Sequence, residues 1–239
     1  MVGMKRILLG SVCVSALLLA PPLLTAQAAD MGVKPPPAPP AEYNWTGFYI
    51  GVQGGYAAGW SEYDTATPYL ANAFFGGGGF GGGTVGFNYE FGATHVVAGV
   101  EGEFNGASIT GSNVDVFGNS HSTSLHEFGS VDLRLGWALT GFAWDRMYLY
   151  MVGGAAFGDP NQTFKTPSGL STSFSSGDST GWDFGAGVEY AVTANWTVRG
   201  EWRMYDFGSA SFSPNTIIPV QHGSKDTINT GRLGVAYKF

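Results

Sequence analysis

The fold is decided by the stretch GRLGVAYKF, residues 231–239, in which large apolar and charged side chains alternate. Its odd-numbered positions include the large apolar residues Leu233, Val235, Tyr237 and Phe239. The two charged residues, Arg232 and Lys238, both fall on even-numbered positions. This alternation predicts a β-strand with two unlike faces, because successive side chains of a strand point to opposite sides.

Seven earlier segments show the same kind of alternation. The eight predicted strands cover residues 47–56, 82–91, 96–104, 131–139, 147–157, 181–190, 196–205 and 231–239. Segment 131–139 is the clearest, since its apolar residues oppose Asp132 and Arg134. In segment 147–157 both parities are apolar or aromatic, so the sequence leaves the facing of this strand open.

Charged residues within these segments lie on the face opposite the large apolar side chains. Ten of them form the predicted interior charge network: Glu101, Glu103, Asp132, Arg134, Asp183, Glu189, Arg199, Glu201, Arg203 and Arg232. Charge inside and apolar residues outside is the arrangement expected of a closed barrel in lipid. Since unpaired buried charges are costly, we expect ion pairs that fill the lumen. A narrow hydrated channel lined by both signs is the alternative.

The connections between the predicted strands alternate in length. Three are short: Gly92–His95, Thr140–Arg146 and Ala191–Asn195. Four are long and polar: 58–80, 105–126, 158–180 and 207–228. Short turns at one end and long loops at the other are typical of outer-membrane barrels. The sequence therefore predicts an all-β fold, an eight-stranded antiparallel transmembrane β-barrel with short periplasmic turns and four long extracellular loops.

Aromatic residues at the strand ends predict two interfacial girdles. At the short-turn ends they are Tyr89, Phe91, Phe142, Trp144, Tyr190, Trp196, Tyr237 and Phe239. Toward the long-loop ends they are Tyr56, Trp60, Phe104, Phe157, Trp182 and Phe207.

The first residues predict export. Lys5 and Arg6 precede an apolar run over residues 7–20, and small residues follow at 26–28, which indicates a cleaved signal peptide over residues 1–28. Residues 29–44 are predicted to form a proline-rich periplasmic leader, and residues 45–239 the outer-membrane β-barrel. The single cysteine, Cys13, is lost with the signal peptide, so no disulfide is expected.

Charge and hydropathy exclude several classes of function. Removing Lys5 and Arg6 changes the formal net charge from -7 to -9, which argues against nucleic-acid binding. Charged residues make up 12% of the chain, against about 25% in a typical soluble domain. No later apolar stretch reaches the roughly 20 residues of a spanning helix.

No motif predicts a catalytic, cofactor or metal site. His95, His121 and His222 lack metal-ligand spacing, and FFGGGGFGGG (74–83) lacks the lysine of a phosphate loop and is expected to be a flexible loop. Ser122, Ser124, His126 and Glu127 offer the residue types of a hydrolase. By parity His126 would point into the barrel with Asp132, whereas lipid hydrolysis needs the outer surface. An outer-membrane enzyme is therefore the least favoured hypothesis.

Four stretches resemble a known family: YNWTGFYIGVQGGYAAGW (43–60), GVEGEF (99–104), GWDFGAGVEY (181–190) and GVAYKF (234–239). They are similar to the outer membrane immunogenic proteins of alphaproteobacteria, which are related to OmpA-like eight-stranded barrels. The resemblance extends over nearly all of the predicted mature chain. It implies a place in the bacterial outer membrane, in contact with its lipid.

The resemblance also implies partners and functions. Tyr237 and Phe239 resemble the terminal signal that the barrel-assembly machinery reads. The family implies envelope integrity and surface antigenicity, with host or surface ligands bound through the long loops, and for some members a small pore. It implies no cofactor, and the sequence carries no signal for an oligomeric state.

Overall fold

The chain forms strands wherever its side chains alternate between two environments. The computed structural model describes residues 42–65, 72–115, 117–140, 146–175, 179–212 and 222–239. The predicted signal peptide, most of the predicted leader, Phe142 and Trp144 lie outside these ranges. The strands are β1 Gly47–Thr65, β2 Asn72–Phe91, β3 Val96–Val114, β4 Ser120–Leu139, β5 Met147–Lys165, β6 Ser171–Ser175, β7 Ser179–Ala191, β8 Trp196–Phe212 and β9 His222–Lys238.

All strand pairs are antiparallel, and the sheet closes on itself. The hydrogen-bonded order β4-β3-β2-β1-β9-β8-β7-β5-β6 is completed by pairing between β4 and β5. Along β5, β7 pairs with Met147–Gly158 and β6 with Asn161–Lys165, so these two segments occupy one strand position. The nine segments therefore make an eight-stranded closed barrel, as predicted.

The first and last strands meet at the closing seam. Val52 of β1 is the register partner of Val235 of β9, and the backbone N–H of Phe239 donates to the carbonyl of Phe48 at 3.0 Å. Because this seam pairs the remaining edges, the barrel presents no open edge along the paired residues.

Side-chain parity separates the two faces of the barrel. Leu133 and Leu135 are 69% and 57% exposed on the outside, whereas Arg134 between them is 1% exposed. In β5, whose facing the sequence left open, Tyr148 and Tyr150 point inward and Met151 points outward. The outer surface is thus apolar and the inner one polar over this part of the barrel.

The strands continue well beyond the predicted segments. The predicted long loops 58–80, 105–126, 158–180 and 207–228 are largely strand, and FFGGGGFGGG (74–83) lies within β2 instead of forming a loop. Backbone pairing persists here although small and polar side chains replace large apolar ones on much of the outer face. Because such stretches show no apolar alternation, periodicity marked them as loops.

Register shifts interrupt the ladders at three places near the start of these extensions. They lie between Gly106 and Ile109, between Leu125 and Phe128, and between Asp206 and Ser209. A bulge adds a residue to one strand and reverses the parity beyond it.

Two predictions of facing fail near these bulges, for different reasons. Phe207 was expected in the outer girdle but is 4% exposed inside the barrel, next to Gly208 with φ of 74°. His126 was expected to point inward by parity with Asp132 but is exposed on the outside. The bulge on β4 reverses the parity between Asp132 and His126. Phe207 instead keeps the inward parity of Arg203 and Tyr205, and its place in the girdle was predicted from its position near the strand end alone.

The other described girdle residues lie at the two rims of the outer surface. Tyr237 is half-buried, and the rest are exposed. At the short-turn rim, Tyr237 packs edge-on against both Trp196 and Phe239, with ring centroids 5.2 Å apart in each pair. Among the described residues, no helix has the length and apolarity needed to cross a membrane.

Candidate functional site: the charged interior

The barrel interior holds one continuous charged cluster between two apolar layers. All ten residues of the predicted network are buried, and they come from five strands: Glu101 and Glu103 of β3, Asp132 and Arg134 of β4, Asp183 and Glu189 of β7, Arg199, Glu201 and Arg203 of β8, and Arg232 of β9. Each strand contributes residues of one parity, and barrel closure brings them together. We call this set the charged cluster.

Glu101 is bound by three guanidinium groups. Its carboxylate accepts hydrogen bonds from Arg199 at 2.5 Å, Arg203 at 2.6 Å and Arg134 at 3.4 Å. The hydroxyl of Tyr49 donates to the same carboxylate at 2.7 Å. Charge-assisted bonds of this kind are the stronger ones in proteins, so Glu101 ties strands β1, β3, β4 and β8 together.

Arg203 has the largest number of acidic partners. Its side chain is fully buried and donates to Glu101 and, through Nε at 2.5 Å, to Glu201. The Nη1 group donates to Asp132 and lies 3.4 Å from Asp183. One guanidinium therefore neutralises carboxylates from β3, β4, β7 and β8.

Glu103 organises the side of the cluster nearer the long hairpins. Arg232 donates to Glu103 at 2.6 Å, the Tyr205 hydroxyl at 2.5 Å, and Gln53 Nε2 at 2.8 Å. Arg232 also donates to the Tyr205 hydroxyl at 2.5 Å. The carboxylate, the guanidinium and the phenol thus form a closed hydrogen-bonded triangle.

Arg134 connects the cluster to the short-turn end of the lumen. It donates to Glu189 at 2.8 Å, and Thr197 donates to the other oxygen of that carboxylate at 2.6 Å. The guanidinium carbon lies 4.0 Å from the ring centroid of Tyr150, within the range of a cation–π contact.

The charged cluster has more acids than bases. Six carboxylates face four guanidinium groups, which leaves a formal charge of -2. Asp132 and Asp183 are the least well paired, because both depend on Nη1 of Arg203 and the Oδ1 atom of each has no hydrogen-bond partner. Gly154 of β5 lies between the two aspartates, since it is the register partner of both. A Cβ atom added at Gly154 would lie 2.6 Å from Asp132 Oδ1.

Apolar side chains close the lumen on both sides of the charged cluster. The layer toward the long hairpins contains Ala57, Phe80, Ile109, Leu125, Phe128, Ala156, Tyr205, Phe207 and Ile228. The layer at the short-turn end contains Trp45, Val97, Ala138, Tyr148, Tyr150, Val152 and Ala191. An eight-stranded barrel has an interior just wide enough for side chains to fill, and these side chains fill it.

The residues before β1 cover the short-turn mouth. The backbone N–H of Trp45 donates to Glu90 at 2.9 Å, and its ring lies 5.2 Å from that of Tyr148. Lys238 contacts the Asn44 carbonyl and lies 4.3 Å from the Tyr43 ring centroid. Burial raises the pKa of Tyr43 to about 12, so its hydroxyl stays neutral under this cover.

Sequence reasoning missed the uncharged members of the site. Tyr49 and Gln53 share the inward parity of β1, and Tyr205 shares that of Arg203, so alternation contained a signal for all three. Trp45 precedes the first strand and belongs to no alternating pattern. Its inward packing could be found only from the folded structure.

One further charged group lies at the tip of the β3–β4 hairpin. Burial alone would raise the pKa of Asp115, but hydrogen bonds from Asn119 and from the backbone N–H of Phe117 outweigh it and hold that pKa below its usual value. The Asn119 amide donates to Asp115 at 2.8 Å, which fixes the turn.

The possible hydrolase residues do not form a catalytic arrangement. Ser122, Ser124, His126 and Glu127 all lie on the outer side of β4. Within the part of the chain that the structure describes, no hydrogen bond joins His126 to either serine. The contact between nucleophile and base that such chemistry uses is missing from this geometry. The same residue ranges contain no group of three or more His, Cys, Asp or Glu side chains that could hold a metal ion.

Comparison with known proteins places this geometry among outer-membrane proteins. Residues 16–239 match the family model described as outer membrane protein beta-barrel domain. The chain is 33% identical to the 31 kDa outer-membrane immunogenic protein of Brucella melitensis over 90% of this chain and 94% of that protein. It is 29% identical to the 25 kDa outer-membrane immunogenic protein of Brucella abortus over 98% of this chain and all of that protein.

Among solved structures, the chain is similar to the outer membrane protein OprG from Pseudomonas aeruginosa. The two share 13% sequence identity with a TM-score of 0.45, over 83% of this chain and 98% of that chain.

Proposed function

The chain belongs to the outer membrane protein β-barrel family and lies in the bacterial outer membrane, and from this premise we propose that it is a structural, surface-exposed barrel with a filled lumen. Its contributions are envelope integrity and contacts at the cell surface. The observation that carries this proposal is the charged cluster enclosed between two apolar layers. A lumen packed in this way stabilises the wall of the barrel and leaves no continuous polar path.

The packing argues against free passage of ions. An ion that entered from the short-turn mouth would first meet Trp45 and Tyr148, then the paired charges, and then Phe128 and Phe207. Crossing an apolar layer without water is unfavourable for a charged species. We expect the wild-type protein to be silent in a membrane although its interior is highly charged.

Conductance in a planar bilayer tests this proposal. The refolded protein is expected to give no steps, whereas Trp45→Ala/Phe207→Ala is expected to give small steps because it removes one aromatic ring from each apolar layer. Trp202→Ala is the control, since it removes an aromatic ring from the outward face of β8, the strand that carries Phe207. Slower migration after boiling verifies that each variant has folded. Reproducible steps in the wild-type protein would overturn the proposal.

The alternative is a narrow porin-like channel. This alternative is favoured by the charged side chains of both signs that face the lumen. Among them, carboxylates outnumber guanidinium groups by two. Such a channel would prefer cations, and Glu101→Ala and Arg134→Ala would shift its selectivity in opposite directions. Selective steps in the wild-type protein would favour this alternative over the filled barrel.

We also propose that the last strand is recognised during assembly. Phe239 is exposed at the short-turn rim beside Tyr237, where a partner can contact both rings. Phe239→Ala is expected to lower the amount of assembled barrel in cells and to leave refolding in detergent unchanged. Equal loss in both experiments would assign Phe239 to stability instead.

The terminal segments and the hairpins complete the proposed role. Residues 1–28 are proposed to be removed on export and residues 29–44 to lie in the periplasm before the barrel. The long hairpins are proposed to present the antigenic surface and to contact host or surface ligands. The Brucella relatives, which are named as immunogenic outer-membrane proteins, support this part of the proposal.

A further inference from the structure

The extended hairpins carry an uncharged polar face on the outside of the barrel. Six side chains compose it: Thr110 and Ser112 of β3, Ser122 and Ser124 of β4, and Asn161 and Thr163 of β5. We call these six residues the hydroxyl face. All six are exposed or half-buried, whereas their neighbours His121, Leu125 and Gln162 are buried on the inner side.

The hydroxyl face is a regular array. Ser122 is the register partner of both Ser112 and Thr163, and Ser124 is the partner of both Thr110 and Asn161. Adjacent strands lie about 4.8 Å apart, and alternate residues along a strand about 7 Å apart. These two rows line a shallow groove of about 480 Å³.

The array continues sideways onto the next strand. The hydroxyl groups of Thr163 and Ser173 lie 3.1 Å apart, as in a cross-strand hydrogen-bonded pair. Hydroxyl and amide groups both donate and accept hydrogen bonds, so the face offers both functions at each row.

The position of the hydroxyl face relates it to the membrane. It begins where the outward apolar band of the same strands ends, just above Phe104 and Val131, which are 55% and 65% exposed. Glu127 and Asp159 line a second groove of about 320 Å³ between the band and the face. Because long loops of outer-membrane barrels are extracellular, the face stands at the height of the headgroups of the outer leaflet.

The chemistry of the face selects its partner. A phosphate group would need Arg or Lys, and none of the six residues is charged. A protein partner would need buried aromatic or apolar anchors, which the six residues also lack. Rows of neutral donors and acceptors match a ligand that is itself a row of hydroxyl groups, as a saccharide is.

We propose that the hydroxyl face binds the saccharide headgroup of a glycolipid whose acyl chains pack against the apolar band beneath it. Membrane anchoring raises the effective concentration of the sugar at the face, so individually weak hydrogen bonds suffice. The inference requires the barrel to lie in the outer membrane, and it does not depend on whether the lumen conducts.

Binding of fluorescent lipopolysaccharide and fluorescent lipid A to the detergent-solubilised protein tests this inference. Lipid A keeps the acyl chains and the disaccharide that carries them but lacks the longer saccharide, which is the part of the headgroup that would reach the hydroxyl face. The variant Ser122→Ala/Ser124→Ala/Thr163→Val removes three hydroxyl groups without charge change. Lipopolysaccharide affinity is expected to fall about tenfold and lipid A affinity to stay unchanged, since each lost hydrogen bond contributes modestly.

Two controls make the result decisive. Thr227→Val/Asn229→Ala removes polar groups from the outer side of β9, across the ring from β4, and is expected to bind both ligands as the wild type does. Slower migration after boiling shows that each variant is folded.

Three outcomes would overturn the inference. They are unchanged lipopolysaccharide affinity in the triple variant, an equal loss for lipid A, and equally tight binding of soluble saccharide released from lipopolysaccharide, which would identify a site for free glycans. Conductance is a separate readout that none of these outward substitutions should change, so this inference and the filled-lumen proposal can fail independently.

Discussion

Strand β4 passes through two environments, and its two halves are built differently. From Ser130 to Trp137 it alternates between buried Asp132 and Arg134 on one side and exposed Val131, Leu133 and Leu135 on the other. From Ser120 to Ser124 its outward residues are serines. Around Ser130–Trp137 lipid covers the outside, so polar side chains must point inward and find hydrogen-bond partners there. Around Ser120–Ser124 the outward hydroxyl groups can form hydrogen bonds with water.

This difference predicts which substitutions should lower the stability of the barrel most. A charge buried in the lumen has no access to water, so removing its partner leaves an unpaired ion. A hydroxyl group on the hairpin surface exchanges its protein partner for water at little cost. Substitutions in the two halves of the same strands should therefore differ greatly in effect.

The largest effect is expected at Arg203, in the charged cluster. Arg203→Met keeps much of the volume but removes the partner of Asp132, Glu101 and Glu201, and should lower the free energy of unfolding by about 3–5 kcal/mol. Urea unfolding in micelles, followed by tryptophan fluorescence, measures this. Met204→Leu, at the next residue of the strand, is the control, and an equal loss there would contradict the central role of Arg203.

A much smaller effect is expected at Asp183, in the same layer. Because the cluster contains two excess carboxylates, Asp183→Asn removes surplus negative charge and supplies an N–H₂ group that can donate to the unpartnered Oδ1 of Asp132. The free energy of unfolding should change by less than about 1 kcal/mol and in the stabilising direction. A loss as large as that of Arg203→Met would show that the excess acid is fully paired.

The smallest effect is expected at the hairpin tip, and it depends on pH. Since the folded pKa of Asp115 is lowered, its carboxylate stabilises the turn above the usual Asp pKa of about 3.9, and this contribution is lost as the pH falls through the lowered folded pKa. Amide hydrogen exchange at Asn119 should accelerate there, and barrel migration on gels should not change. Asp115→Asn should make the exchange of Asn119 independent of this titration.

How much of the fold could be predicted from the sequence differs between the lipid-covered part of the barrel and its extensions. Between lipid and lumen, alternation placed all ten residues of the charged cluster and identified eight strands. In the extensions the outer face meets water and loses its large apolar residues, so the alternation between apolar and charged side chains disappears. Periodicity therefore predicts a loop over residues 105–126, where the structure has mostly strand. At His126 the alternation was carried through a bulge that reversed it. Phe207 was assigned to the outer girdle from its position near the strand end, although it shares the inward parity of Tyr205.

By itself the sequence determined the barrel, the number of its strands and the inward facing of the charged side chains between lipid and lumen, because those properties follow from the period of a strand and the chemistry of lipid. It did not determine partners: that Arg203 binds Asp132 and Glu101, or that Trp45 covers the mouth against Tyr148. Only the tertiary structure decided these, because the contacts join residues tens of positions apart through the register and closure of the ring. A one-residue change in register would reassign every pair.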